Sequence, residues 1–163
     1  MRLKEIGGVA LFSLLLLVSC GAGGTRGTAE RPQFQLASLD GAKLGPADYA
    51  GHVVLLDFWA TWCVPCHAQA EVLKEVWPEV ADRQVQFLAV DVSERRQTVE
   101  DFVAENPFPY PVLLDTESEV ADRLGVVSLP TLIVLDREGK VAFTGSGVHG
   151  ADELRRILAR AGA

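Results

Sequence analysis

Residues 53–60 form an almost wholly apolar run, and two cysteines, Cys63 and Cys66, follow it within a few positions. A continuous apolar run of this length is typical of a central strand that is buried on both faces of a sheet. Beyond the cysteines, apolar side chains recur at helical spacing as far as Val80, which predicts an amphipathic helix. The sequence therefore predicts a cysteine pair at the junction between a buried strand and the N-terminus of a helix.

The position of the pair at a helix N-terminus indicates thiol chemistry. The first N–H groups of a helix have no partners and carry partial positive charge, which stabilises a thiolate. In such motifs the pKa of the first cysteine falls to roughly 3.5–7.5, and its thiolate attacks disulfides. The spacing also lets the second sulfur close a disulfide with the first. We therefore expect Cys63 to be the exposed nucleophile and Cys66 the buried thiol that resolves the mixed disulfide.

The rest of the chain predicts an alternation of strands and helices. Residues 34–44 have the pattern of a small hairpin that turns at Asp40-Gly41. The other predicted elements are a strand at 85–92, a helix at 95–105, a strand at 112–114, a helix at 116–124, the two strands of a second hairpin at 131–135 and 140–144, and a helix from Ala151. This order predicts an α/β fold in which a mixed central sheet has helices on both faces.

The N-terminus predicts a targeting segment. Residues 6–18 are apolar apart from Ser13, and they follow two basic side chains, Arg2 and Lys4. A run of this length suits a signal peptide and is too short to span a bilayer. It leads to Cys20 in a sequence that resembles a bacterial lipobox, whose cysteine is acylated and becomes the mature N-terminus. A simple secretory signal that is cleaved near the same place is the alternative.

We therefore expect three segments: a lipoprotein signal peptide at 1–19, a flexible tether at 20–33 and one folded domain at 34–163. An acylated Cys20 would bind the lipid bilayer, because each buried methylene of an acyl chain contributes about 0.8 kcal/mol. The domain would then be extracytoplasmic, at a bacterial membrane that faces the periplasm or the cell surface. Protein disulfides persist in those compartments.

The composition limits the classes of fold and partner. A net charge of −7 and a pI near 4.9 argue against binding to nucleic acid, which requires clustered Lys and Arg. The chain is 48% hydrophobic and 23% charged, which is too apolar for a disordered protein. A domain of this size needs no disulfide staple to be stable.

Residues 57–66 (DFWATWCVPC) resemble the active-site segment of thioredoxins, and residues 125–141 resemble the cis-proline strand and hairpin of the same superfamily. The N-terminal hairpin, an extra helix–strand unit near 95–114 and the lipobox resemble those of the TlpA/ResA group of extracytoplasmic thioredoxins. The resemblance covers residues 34–160. It implies a thioredoxin-like fold with an N-terminal hairpin and an inserted helix–strand unit, and the activity of a thiol–disulfide oxidoreductase that needs no cofactor.

The resemblance also implies roles for single residues. Pro130 matches the cis-proline that faces the disulfide, and the backbone of Leu129 would pair with an extended client protein. Trp62 is the expected surface aromatic beside the nucleophile. Asp57 matches the buried aspartate that exchanges a proton with the resolving thiol, and burial raises the pKa of a carboxyl group as that task requires. The alternative for Asp57 is a hydrogen-bonded strand carboxylate with no catalytic part.

Three positions depart from the pattern of the group. Gln69 stands where many members have glutamate, and Leu129 replaces a common threonine. Ala89 lies in the stretch where thioredoxins have a lysine beside the buried aspartate. These differences concern the client and the redox potential rather than the type of reaction.

Three other chemistries use similar cysteine patterns. Cys63 to His67 is also a CxxCH, the pattern of c-type haem attachment, but a second axial ligand is needed and the sole methionine is Met1. A haem protein is therefore a remote alternative. A zinc site would need a second Cys or His pair at ligand spacing, so no metal is expected. A peroxidase of the peroxiredoxin kind would have Thr-x-x-Cys, whereas Thr61 is two residues before Cys63.

The sequence thus predicts a membrane-anchored enzyme that reduces disulfides in extracytoplasmic client proteins. Apocytochrome c is one candidate client, and a membrane protein of the DsbD/CcdA type is the expected electron donor. The dipeptide Val64-Pro65 between the cysteines resembles that of reductants. A disulfide oxidase or isomerase of the same fold is the alternative, because an oxidant differs in having its reduced form stabilised.

Overall fold

Residues 31–163 are described by a computed structural model. The predicted signal peptide at 1–19, Cys20 and the tether as far as residue 30 lie outside the described residues. Within the described range, no helix is both long and apolar enough to cross a bilayer.

A mixed sheet of seven strands runs through the middle of the domain. Its strands are β1 (Leu36–Ser38), β2 (Lys43–Leu44), β3 (Val53–Trp59), β4 (Val85–Val92), β5 (Val112–Asp115), β6 (Thr131–Leu135) and β7 (Val141–Ser146). The helices are α1 (Val64–Val80), α2 (Arg96–Glu105), α3 (Glu119–Arg123) and α4 (Ala151–Ala161), and a 3-10 helix lies at Pro46–Tyr49. The strands lie side by side in the order β2-β1-β5-β4-β3-β6-β7.

Strand β3 lies between β4, to which it is parallel, and β6, to which it is antiparallel. All of its residues are buried, as its continuous apolar sequence predicts. Strand β5 runs parallel to β4, and the β1–β2 hairpin extends the sheet beyond β5. The predicted α/β fold, with its mixed sheet, N-terminal hairpin and inserted helix–strand unit, is confirmed.

Two apolar clusters fill the two faces of the sheet. One contains Leu73 of α1, Val99 of α2 and Leu158 of α4, and we call it the α1 cluster. The other contains Val120 of α3 and Phe34. Odd-numbered apolar residues of β3 and β4 belong to the α1 cluster and even-numbered ones to the second cluster, as the alternation of side chains along a strand requires. Helices therefore cover both faces of the sheet.

Helix α3 is shorter than the predicted helix at 116–124. The carboxylate of Asp115 accepts the N–H groups of Val120 at 3.2 Å and of Ala121 at 2.8 Å. Ser118 has a φ of 59°, in the left-handed region, so it cannot be part of a right-handed helix. The helix therefore begins after Ser118, with its first N–H groups bound to the end of β5.

The first described residues are tied to the end of the sheet that is remote from the cysteines. The guanidinium group of Arg31 donates to the carbonyl oxygens of Pro46 at 2.7 Å and of Arg137 at 3.2 Å. Arg137 lies in the turn between β6 and β7, where antiparallel pairing places the start of β3. Because Cys63 follows the end of β3, the chain enters the domain at the end of the sheet opposite the cysteine pair.

Candidate active site

The cysteine pair lies where strand β3 is followed by helix α1. Cys63 and Cys66 form a disulfide, with an S–S distance of 2.01 Å. Cys63 is the N-cap residue of α1, and its carbonyl oxygen accepts the N–H group of Cys66 at 2.9 Å. The sulfurs are thus held at the N-terminus of a 17-residue helix, where the partial positive charge stabilises a thiolate.

Cys63 is less exposed than the sequence predicted. In the disulfide its side chain belongs to the α1 cluster, and the residue is 3% exposed, against 1% for Cys66. The prediction of an exposed Cys63 is wrong for this oxidised state, because its sulfur is bonded to that of the buried Cys66. The exposed side chains are those on either side, Trp62 at 69% and Val64 at 74%.

Asp57 lies on the face of β3 that the α1 cluster covers. It is 1% exposed, and neither carboxylate oxygen has a hydrogen-bond partner within the described residues. Its neighbours across the ladder are apolar, Ala89 of β4 and Leu132 of β6. Burial therefore raises the pKa of Asp57 from its ordinary value to about 7. Such a carboxyl group can gain or lose a proton near neutral pH.

Tyr110 is a polar side chain in the α1 cluster that sequence reasoning missed. Its hydroxyl group is buried and without a hydrogen-bond partner in the described part of the chain, and its ring packs against Phe87, two residues before Ala89 on β4. Burial and the negative charge of Asp57 both raise the pKa of Tyr110, which remains a neutral phenol at physiological pH. The sequence carries no motif that would have drawn attention to it.

The peptide bond between Leu129 and Pro130 is cis. Thr131, the next residue, pairs with Phe58 near the end of β3, so Pro130 lies at the same end of the sheet as the disulfide. Pro130 is buried, whereas Leu129 is half-buried. Val127, just before this segment, is 92% exposed. Exposed apolar side chains thus come both from the active-site turn and from the cis-proline segment.

The turn that precedes the cysteines is bound to a carboxylate from a distant part of the chain. The Thr61 N–H and hydroxyl groups donate to the two oxygens of Glu94, at 2.5 and 2.6 Å. The carbonyl oxygen of Thr61 accepts a hydrogen bond from Nε2 of His67 at 2.8 Å, and the His67 ring packs on Phe102. The ring of His67 is thus held against the turn that leads to Cys63.

A second buried carboxyl group, Asp91, lies beside Glu94. It is fully buried, it pairs with Trp59 across the ladder, and no group in the described residues donates to its oxygens. Burial, and next the neighbouring carboxylate of Glu94, raise the pKa of Asp91 to about 8. Sequence reasoning missed Asp91, although it shares a signal with Asp57: an acid within an apolar strand.

Gln69 connects helix α1 with the segment before α4. Its side chain is fully buried; Oε1 accepts the N–H group of His149 at 2.7 Å, and Nε2 donates to the carbonyl oxygen of His149 at 3.4 Å. A glutamate here could accept the first hydrogen bond but could not donate the second unless it were protonated. The departure from the TlpA/ResA pattern at Gln69 therefore matches its backbone partner.

A pocket of about 60 Å³ is lined by Cys66, together with the ring of Phe102 and the ion pair of Glu71 and Lys74. It has room for a few water molecules beside the resolving sulfur. Within residues 31–163, no three His, Cys, Asp or Glu side chains are grouped so as to hold a metal ion.

Residues 28–144 match the family model described as the AhpC/TSA family. The chain belongs to this family. Thiol-disulfide oxidoreductase ResA of Bacillus thuringiensis subsp. konkukian is 33% identical over 129 residues, which cover 79% of this chain and 75% of that protein.

Two solved structures resemble this member of the AhpC/TSA family. A putative thiol:disulfide interchange protein DsbE from Chlorobium tepidum is 30% identical, with a TM-score of 0.75 over 82% of this chain and 97% of the other. The exposed lipoprotein thioredoxin of Streptococcus pneumoniae is 29% identical, with a TM-score of 0.71 over 78% and 98% of the two chains. The predicted thioredoxin-like fold is confirmed, and the chain is a thiol–disulfide oxidoreductase of the ResA/DsbE type.

Proposed function

We propose that the protein reduces disulfides in extracytoplasmic client proteins while an acylated Cys20 anchors it to a bacterial membrane. The apolar burial of the cysteine pair is the observation that supports this direction. Both sulfurs lie in the α1 cluster, and Asp57 and Asp91 are buried on the same face of the sheet. Apolar burial disfavours a thiolate, and it opposes the effect of the helix N-terminus.

The stability of the thiolate sets the direction of electron flow. A strong disulfide oxidant owes its high potential to a reduced form that is stabilised, through a very acidic nucleophile. The surroundings of Cys63 supply less stabilisation than that, so its reduced form should give up electrons readily. A thiol-disulfide oxidoreductase such as ResA can in principle reduce or oxidise its clients. The direction proposed here therefore rests on the surroundings of the cysteines.

In the proposed reaction, the Cys63 thiolate attacks one sulfur of a client disulfide, and the other client sulfur leaves as a thiolate. The Cys66 thiol then gives its proton to the Asp57 carboxylate and attacks the sulfur of Cys63. The second client sulfur leaves and takes up a proton. The client has gained two electrons, and the enzyme is left as the Cys63–Cys66 disulfide.

The client would lie across the end of the sheet that carries the disulfide. The backbone of Leu129, before the cis bond to Pro130, would pair with an extended segment, and Trp62 would pack against apolar client side chains. The support is the exposure of Trp62 and the cis geometry of Pro130 at the same end of β3. Apocytochrome c is one candidate client, because its CxxC must be reduced before haem is attached.

The oxidised enzyme must be reduced again by a donor that supplies two electrons. We propose a membrane protein of the DsbD/CcdA type, because a lipid-anchored domain stays at the bilayer where such a donor lies. The anchor itself rests on the lipobox-like sequence that ends at Cys20. The similar thioredoxin of Streptococcus pneumoniae is an exposed lipoprotein, which supports the same arrangement here. The Cys20→Ala variant should remain an uncleaved precursor without acyl label; acyl incorporation into that variant would rule out this anchor.

The redox equilibrium with glutathione tests the direction of the reaction. A reductant should have a potential near that of thioredoxin, about −270 mV, whereas a value near −120 mV is typical of a dedicated oxidase. Mass spectrometry after acid quenching and alkylation gives the oxidised fraction at each ratio of glutathione to its disulfide. A potential above that of protein disulfide isomerase, about −180 mV, would favour the oxidase or isomerase alternative.

A further inference from the structure

The segment between β7 and α4, residues 147–150, is bound to the helix that carries the cysteine pair. Gln69 lies one turn after Cys66 on α1, and its side chain is fully buried. Its Oε1 accepts the N–H group of His149 at 2.7 Å, and its Nε2 donates to the carbonyl oxygen of His149 at 3.4 Å. A single side chain of α1 thus pairs with both backbone groups of one residue in this segment.

The same segment is also bound to the cis-proline. The N–H group of Gly147 donates to the carbonyl oxygen of Pro130 at 2.9 Å. Gly147 has a φ of 88°, in the left-handed region that favours glycine because glycine has no Cβ. Ser146, the last residue of β7, pairs with Thr131, and their hydroxyl oxygens lie 2.9 Å apart. Residues 146 and 147 therefore hold the backbone at Pro130 in place.

The side chain of His149 anchors the segment to the elements on either side of it. Its ring packs edge-on against Phe143 of β7, with centroids 5.3 Å apart, and its Nδ1 lies 3.3 Å from the Glu153 carboxylate of α4. A Cβ at Gly145 would lie 2.7 Å from Nε2 of His149, so a larger residue there would displace the ring. The backbone of His149 is thus a firm connection between Gln69 and the cis-proline.

We propose that Gln69 is a positioning residue for the client. By binding the segment between β7 and α4, it sets the distance from the cysteine helix to the cis-proline, and it thereby favours extended polypeptide clients over small disulfides. An extended client would contact both Cys63 and the backbone of Leu129, so its binding depends on their separation. A small disulfide needs only the sulfur of Cys63. The proposal rests on the proposed function only in where the client lies, and not in the direction of electron flow.

Gln69→Leu tests this, because it removes both hydrogen bonds to His149 and keeps a side chain of similar size. In single-turnover experiments, the reduced protein is mixed with rising concentrations of a synthetic peptide that contains one intramolecular disulfide. We expect the half-saturating peptide concentration to rise about fivefold, the change that corresponds to the net contribution of one hydrogen bond. The limiting rate should be unchanged, which is the signature of lost binding rather than of lost chemistry.

Hydroxyethyl disulfide is the matched small probe, and its rate of reaction with Gln69→Leu should equal that with wild type. Gln97→Leu makes the same change at an exposed site on α2 and should match wild type with both probes. Equal losses with the peptide and the small disulfide would overturn the proposal, as would an unchanged half-saturating concentration. The comparison can also be made with the oxidised protein and a reduced peptide, so its outcome is distinct from the direction of the proposed function.

Should Gln69→Leu fail to fold, Gln69→Glu decides. Burial favours the protonated carboxyl group at pH 5, where it can accept from and donate to His149 as the amide does, whereas the ionised form cannot donate. In ¹H–¹⁵N spectra of the oxidised protein, the Gly147 amide should match wild type at pH 5 and differ from wild type at pH 9. The half-saturating peptide concentration, relative to wild type at the same pH, should follow the same pattern.

Gln97→Glu is the control for this titration and should match wild type at both pH values. A Gly147 amide in Gln69→Glu that matched wild type at pH 9 as well as at pH 5 would contradict the proposal. A difference already present at pH 5 would also contradict it, since a protonated carboxyl group can make both hydrogen bonds.

Discussion

Asp57 is the residue whose environment best explains how the second thiol is activated. Asparagine at this position has the same shape as aspartate, but its amide group cannot exchange a proton. We expect Asp57→Asn to slow the resolution of the mixed disulfide by about 100-fold or more, the contribution typical of a general base. Rapid chemical quenching, followed by separation of the mixed disulfide, measures this step.

The first attack by Cys63 should change much less in Asp57→Asn, because the helix N-terminus rather than Asp57 stabilises that thiolate. Asp101→Asn is the matched control, since it makes the same chemical change at an exposed position on α2. If wild type and Asp57→Asn resolved the mixed disulfide at equal rates between pH 6 and pH 8, Asp57 would have only a structural role.

The two cysteines differ in position more than in exposure, and they should differ in reactivity. Cys63 is the N-cap of α1, whereas Cys66 lies within the first turn. In the reduced protein we expect Cys63 to be alkylated first, with a pKa below the ordinary value of about 8.5. Peptide mapping after a brief pulse of iodoacetamide at pH 7 gives the order, and faster labelling of Cys66 would reverse the assignment of roles.

Single residues show where sequence reasoning succeeds and where it stops. Asp57 could be singled out because an acid within an apolar strand has few partners, and Asp91 in strand β4 carries the same signal. The contact of Glu94 with Thr61 joins residues 33 positions apart, and no local pattern predicts such a contact. The burial of Cys63 comes from tertiary packing in the α1 cluster, which no local sequence pattern shows.

At the scale of an element, Asp115 determines where helix α3 begins. It is 2% exposed, and its carboxylate accepts two N–H groups of that helix. We expect Asp115→Ala to lower the free energy of unfolding by about 1–2 kcal/mol, the usual cost of losing such a cap. Urea titration of the oxidised protein followed by circular dichroism measures the change.

Asp115→Asn keeps an oxygen acceptor and should therefore lose less stability than Asp115→Ala, and Asp101→Asn should lose almost none. If alanine and asparagine at position 115 were equally destabilising, the loss would come from the charge of Asp115 rather than from its hydrogen bonds to α3.

The strands were more predictable than the short helix. Strands β4 and β6 have the predicted bounds because their apolar runs are bordered by polar residues and turns. Helix α3 starts later than its sequence pattern suggests, since the cap from Asp115 and the left-handed conformation of Ser118 are tertiary and backbone features. Periodicity reports which face is buried, and it does not report where the first hydrogen bond is made.

For the whole molecule, the two buried carboxyl groups make stability depend on pH. The pKa values of Asp57 and Asp91 are raised to about 7 and about 8 in the folded protein, well above the unfolded value of about 3.9. Between those limits the folded state binds more protons than the unfolded state, so the free energy of unfolding falls as pH rises. Each group contributes a slope of at most about 1.4 kcal/mol per pH unit.

This stability is complete at pH values below the unfolded pKa, and it is lost as pH rises through 7 for Asp57 and through 8 for Asp91. We expect the denaturation midpoint of the oxidised protein to fall steadily from pH 5 to pH 9. Asp57→Asn and Asp91→Asn should each flatten part of this fall, with Asp101→Asn as the control. A midpoint that rose with pH over this range would show that neither carboxyl group holds a proton in the folded state.

Arg31 binds the incoming chain to the end of the sheet that is remote from the cysteines. This contact would determine the orientation of a lipid-anchored domain at the membrane. The steps from Cys20 to Arg31 span at most roughly 40 Å when extended, so the domain would be confined to a shallow layer above the lipid. The disulfide would face away from the membrane, where it could meet secreted proteins. To reach an electron donor within the bilayer, the domain would have to rotate about its N-terminal tether. Shortening residues 21–30 should therefore slow re-reduction while clients are still reduced at the normal rate.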